Sequence, residues 1–175
     1  MFTEKEIKEL IFKSIEKSEK FLSEDSPKNA EIILNQLLKI NPDNSQAIQL
    51  LGISQYKQEK YEEAKSTFKK SLKNDPNNAE NHNNIGLCYS SLYKFNKAIK
   101  HAKKSISLDP NKQLYKKSLA KHYRKTEELK KSLYILEQLL KENNKDPDVW
   151  ANIGGIHGTN RDLKKAEICL LNSVT

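Results

Sequence analysis

The sequence predicts an all-α fold, a solenoid of about five helical hairpins stacked in chain order. Two observations predict it. Three segments end alike, Ile40-Asn41-Pro42-Asp43, Asn74-Asp75-Pro76-Asn77 and Leu108-Asp109-Pro110-Asn111, with their prolines 34 residues apart. An internal period in that range marks a repeat architecture whose units bury their apolar faces only against neighbours. The composition agrees. Five Gly and five Pro in 175 residues leave little for loops, and 31% charged against 36% hydrophobic residues suits an elongated molecule with much surface per residue.

Extending the frame in both directions sets repeats at Ile11, Ser45, Ala79, Gln113 and Pro147, with no insertion or deletion. Residues 1–175 then read as one solenoid domain. Residues 1–10 form a helical extension ahead of the first repeat, and the fifth repeat is cut inside its second helix. The same residue types recur at fixed places. Position 8 holds Gly52, Gly86, Ala120 and Gly154, and position 20 holds Ala30, Ala64, Ala98, Ser132 and Ala166. Small residues at these two places let the helices of a hairpin approach closely. Position 7 (Leu51, Ile85, Leu119, Ile153) and position 24 (Leu34, Phe68, Ala102, Leu136, Leu170) fill the seam around that approach, helped by Tyr89 at position 11 and Trp150 at position 4. The Asn/Asp-Pro pairs end each second helix, because proline lacks an N–H and disfavours helix at the residue before it.

The two ends depart from this pattern. Ser14, Lys17 and Ser18 stand where the first repeat should carry large apolar and small residues. Its first helix therefore starts early, behind a capping box formed by Thr3 and Glu6, with Ile7, Leu10, Ile11 and Phe21 on one stripe. The fourth repeat has Asn144 in place of the proline and Lys116 at position 4, which predicts a looser hairpin. At the C-terminal end no polar capping helix follows Leu170, Leu171 and Val174. Solenoids need such a cap, so the natural chain is expected to continue past Thr175, or this end to meet another copy.

The pattern resembles the tetratricopeptide repeat family over nearly the whole chain. Ile85, Gly86, Tyr89, Ala98 and Pro110 carry the resemblance in the third repeat; Leu51, Gly52, Ala64, Phe68 and Pro76 carry it in the second, and Trp150, Ile153, Gly154 and Ala166 in the fifth. The resemblance implies a right-handed α-solenoid with first helices on the concave face and second helices on the convex face. It also implies a protein–protein interaction scaffold rather than an enzyme, with no cofactor.

The family's ligand-contacting positions fall on first helices. In the fourth repeat they give Lys117, Lys121, Arg124 and Lys125, which share one helical face by their spacing. Asn84 and Asn152 occupy a position where, in some family members, a primary amide both donates to and accepts from an extended peptide backbone. These six residues are the candidate groove site. A second family device, a clamp for a peptide's terminal carboxylate, is not matched: Gln49, Ile53, Leu114 and Ser118 stand where its polar groups belong, and only Asn84 fits.

The formal net charge of +8 is concentrated mid-chain: the third and fourth repeats carry +4 each, the first −1 and the fifth none. An acidic protein or peptide segment is the expected partner, steered by that field. Tyr115 and Tyr123 beside the lysines could stack bases, but lysine outnumbers arginine 29 to 2, and specific phosphate or base readout recruits arginine. Nucleic acid is therefore disfavoured.

No chemistry is legible. His82, His101, His122 and His157 fall in four different helices with no ligand at i+4. Cys88 and Cys169 are isolated packing residues, and the Gly154-Gly155-Ile156-His157-Gly158 string lacks the Lys-Ser/Thr of a phosphate loop. No metal site is expected. The N-terminus lacks a secretory pattern and no apolar run could span a bilayer, so a cytoplasmic protein without membrane insertion is expected. Two alternatives accompany the peptide-binding reading. One is a scaffold that self-assembles through its ends, motivated by Phe12, Ile15 and Leu22 at one end and the bare fifth repeat at the other. The other is the recruiting module of a larger transferase.

Overall fold

A computed structural model describes residues 3–174. The described residues form ten helices: α1 (Glu4–Ser23), α2 (Pro27–Ile40), α3 (Ser45–Lys57), α4 (Tyr61–Asn74), α5 (Ala79–Ser91), α6 (Phe95–Leu108), α7 (Gln113–Lys125), α8 (Leu129–Glu142), α9 (Pro147–Thr159) and α10 (Leu163–Asn172). Each packs on the next. Each odd-numbered helix also touches the next odd-numbered one, whereas no two even-numbered helices meet among the described residues. The stack therefore curves, with the odd-numbered first helices on its inner side.

Local chemistry sets the helix ends. Thr3 and Glu6 form a reciprocal capping box on α1. Asn44, Asn78 and Asp146 cap α3, α5 and α9 by accepting backbone N–H groups with their side-chain oxygens, and Pro27 and Pro147 occupy the first turn, where a missing N–H costs nothing. Every hairpin turns through one residue in the left-handed region: Asp25, Glu59, Tyr93, Glu127 and Arg161, with φ between 53° and 62°. None is glycine, so no glycine signal marks these turns in the sequence.

The small residues act at the helix crossings as expected. A Cβ on Gly52 would lie 2.5 Å from the ring of Phe68, which is fully buried, and a Cβ on Gly86 would meet the Ala98 carbonyl at 3.3 Å. The fourth hairpin, expected to be looser, is pinned by polar ties. The Ser132 hydroxyl donates to the Ala120 carbonyl at 2.7 Å, and Lys116 pairs with Glu142 at 3.1 Å. Cys88 and Cys169 are buried, and burial pushes the Cys88 thiol up to about 12, so it packs rather than reacts.

Several inward positions differ from expectation. Ile15 and Leu22 lie in the first core cluster with Leu34 and Ala47, so of the N-terminal trio only Phe12 is exposed. Tyr115 is buried and cannot present a stacking face. Leu163, Ile168, Leu170, Leu171 and Val174 are exposed along the last helix and just after it. Gly158 has no neighbour within 4 Å of a would-be Cβ. Gly158→Ala is expected to raise stability by about 0.5–1 kcal/mol by relieving backbone entropy within α9. A thermal melt checks this, and a lowered Tm would contradict it.

Candidate peptide groove

The six candidate residues lie on the inner helices α5, α7 and α9, and their contacts differ. Lys117 reaches from α7 to the next hairpin, where its ammonium lies 3.1 Å from Asp146 and 3.2 Å from Asp148. Burial alone would lower its pKa; the two carboxylates outweigh burial and raise it. Asp146 also caps α9, so this contact ties α7 to the start of its neighbour. The Arg124 guanidinium sits over Gly155, where a side chain would collide with it. Asn152 donates to the Asp148 carbonyl within its own helix at 2.7 Å. Asn84 is different: its amide nitrogen is buried and has no hydrogen-bond partner among the described residues.

Lys121 and Lys125 are brought together with more. They line a cavity of about 500 Å³ between the C-terminal ends of α3, α5 and α7. Both are exposed, and neither forms an ion pair among the described residues. Leu87, Ser90 and Ser91 line it from α5 and Tyr56 from α3, and the Tyr56 hydroxyl meets the Ser91 hydroxyl at 3.2 Å. Glu59 also lines it.

Sequence reasoning missed His122 as part of this cavity. Its side chain is 1% exposed, and neither ring nitrogen has a hydrogen-bond partner among the described residues. Burial, with a smaller contribution from Lys121, holds its pKa down to about 4. Three of its four equivalents at multiples of 34, Ser54, Cys88 and Ile156, are buried, a signal that places His122 inward; the fourth, Lys20 in the atypical first repeat, is exposed.

Two of the histidines, on different helices as expected, meet across a hairpin. His82 and His101 meet on α5 and α6, with their Nδ1 atoms 3.2 Å apart. His82 Nε2 lies 3.1 Å from the Pro76 carbonyl, which only accepts. That fixes the tautomers: His82 donates from Nε2 and accepts at Nδ1, where His101 donates. Among the described residues no group of three His, Cys, Asp or Glu is placed to hold a metal ion, and no helix is long and apolar enough to cross a membrane.

A solenoid of 34-residue helical hairpins with first helices lining an inner groove defines a class, and known proteins share it. The family model for anaphase-promoting complex, cyclosome, subunit 3 matches residues 24–105. TTC0263, a thermophilic TPR protein of Thermus thermophilus, is 15% identical over 94% of this chain and 90% of its own, with a TM-score of 0.84. PilF of Pseudomonas aeruginosa is 18% identical over 96% and 77%, with a TM-score of 0.80. YrrB, a TPR protein with an unusual peptide-binding site, is 17% identical over 92% and 83%, with a TM-score of 0.67. No curated protein matches the sequence. By repeat pattern and fold the chain is similar to tetratricopeptide-repeat proteins and shares their right-handed all-α solenoid.

Proposed function

We propose that the protein is an interaction scaffold whose inner groove holds an extended, acidic segment of a partner protein. The observation that carries this reading is the pair Lys121 and Lys125: two exposed ammonium groups without an ion-pair partner among the described residues, on the wall of a groove cavity. Asn84 lies on α5 beside the groove, but its amide nitrogen is closed to solvent, so the reading does not rest on it. The likeness to YrrB adds a solenoid of this kind that binds peptide. Lys117 serves as a strut between hairpins, and Arg124 packs on Gly155, so the ligand-facing charge narrows to Lys121 and Lys125.

Fluorescence anisotropy with a fluorescein-labelled peptide of alternating Asp and Ser tests this. The double variant Lys121→Glu, Lys125→Glu is expected to bind roughly tenfold or more weakly, and added salt should weaken the parent protein's binding. Both side chains are exposed, so helicity should be unchanged. Equal affinity of parent and double variant would overturn the reading. Lys117→Glu is a poor probe, since it sets a third carboxylate against Asp146 and Asp148 and damages the fold itself.

A further inference from the structure

The cavity beside Lys121 and Lys125 is more than a charged wall. We propose that it is an anchor pocket for one aromatic side chain of the bound segment, with the two lysines taking a carboxylate next to that ring. This inference rests on the groove reading and adds to it the chemistry of the bound segment.

The walls are aromatic. Tyr56 and Tyr61 lie with ring centroids 5.3 Å apart and tilted by 60°, and Tyr93 and Phe95 meet edge to face at 6.0 Å and 75°. Tilted rings expose both faces and edges, the surfaces another ring packs against. Tyr93 is 84% exposed and holds the left-handed turn position of its hairpin. The other four hairpins place Asp25, Glu59, Glu127 and Arg161 there, all charged residues that water solvates readily. Only the α5–α6 hairpin, one of three that border this cavity, sets an aromatic ring at that exposed place.

The inner end is polar in an unusual way. Where the second, third and fifth repeats bury Ser54, Cys88 and Ile156, the fourth buries His122. The Ser54 hydroxyl is satisfied by the Pro27 carbonyl at 2.6 Å, whereas His122 satisfies neither nitrogen among the described residues. Burying unpaired polar atoms costs stability. Both imidazole nitrogens are closed to solvent, so His122 forms part of the cavity's inner wall and offers no hydrogen bond into it.

Charge sets the polarity of the segment. Lys121 and Lys125 line the cavity from α7, and Glu59 lines it from the α3–α4 turn. One carboxylate is attracted by the lysines, and a second beside Glu59 is repelled. The fitting ligand is an aromatic residue with an acid on one flank, supplied by an Asp or Glu side chain or by the chain's own terminus.

Anisotropy on the full chain with a series of labelled Asp/Ser peptides tests this. One residue is varied among Ala, Phe and Trp, and peptides that end just after that residue are made as free acid and as amide. The Phe and Trp peptides are expected to bind about ten- to a hundredfold tighter than the Ala peptide. Leu87→Trp, which fills the cavity, and Tyr93→Gly, which removes one wall while suiting the left-handed turn, should each erase that preference, so that the Ala, Phe and Trp peptides bind alike; a preference kept by both variants would overturn the pocket. Because Tyr93 is exposed, the second variant remains a test if the first fails to fold. The acid and amide forms show whether a terminal or a side-chain carboxylate is used. Equal binding of Ala, Phe and Trp peptides overturns the pocket and leaves the groove reading standing. Binding of none overturns both.

Discussion

Phe68→Ala is expected to lower the unfolding free energy by about 3–5 kcal/mol. The Phe68 ring is 1% exposed and packs with Ala64, Ile85, Cys88, Tyr89 and Ala98. Its edge rests directly on Gly52: a Cβ there would come within 2.5–2.8 Å of three ring carbons. The wall beside the ring is thus the α3 backbone, which cannot sag into a cavity as a side chain can, so truncation leaves most of the void open. The position amplifies the loss. In a solenoid each hairpin is held only by its neighbours, and this cluster joins the second hairpin to the third. Urea denaturation followed by far-ultraviolet circular dichroism measures the effect. A loss below about 1 kcal/mol would mean that α3 and α4 can close the gap, contrary to the packing described. Gly52→Ala should destabilise through the same contact from the other side, by about 1–3 kcal/mol. Added to Phe68→Ala it should cost much less, since the ring it strikes is gone.

The Gly52–Phe68 contact was legible in the sequence because both residues recur in a 34-residue frame with obvious size logic. Other features were not, for identifiable reasons. The left-handed turn residues Asp25, Glu59, Tyr93, Glu127 and Arg161 share a place in the frame but no chemistry, so only the backbone reveals them. Lys117 shows a face shared with Lys121 and Lys125, yet its partners Asp146 and Asp148 lie 29 and 31 residues further on, a separation no single-helix pattern reports. The His82–His101 contact spans 19 residues between two helices of one hairpin and was hidden in the same way. His122 is the instructive miss. Its frame equivalents Ser54, Cys88 and Ile156 signal burial, but the basic residues around it in the sequence make charge the louder signal.

That burial carries the second large effect, a loss of stability in mild acid. His122 has a folded pKa near 4, set first by burial and then by Lys121, against an ordinary value of 6.5. The unfolded chain takes a proton that the folded chain refuses. The sign follows: the contribution is fully present above pH 6.5, declines as pH falls below that value, and is exhausted near pH 4. Its size is roughly 3 kcal/mol. His101 is likewise held down to about 4, by burial and then by His82, and acts in the same window. His122→Leu separates the two. Leucine has no proton to gain, and it removes two unpaired buried nitrogens, so the variant should match or exceed the parent at neutral pH. On acidification to pH 4 it should lose about 3 kcal/mol less than the parent. Urea titrations at pH values spanning 7 to 4 compare the two slopes. Parallel slopes for parent and variant would place the acid response elsewhere in the chain and remove His122 as its source.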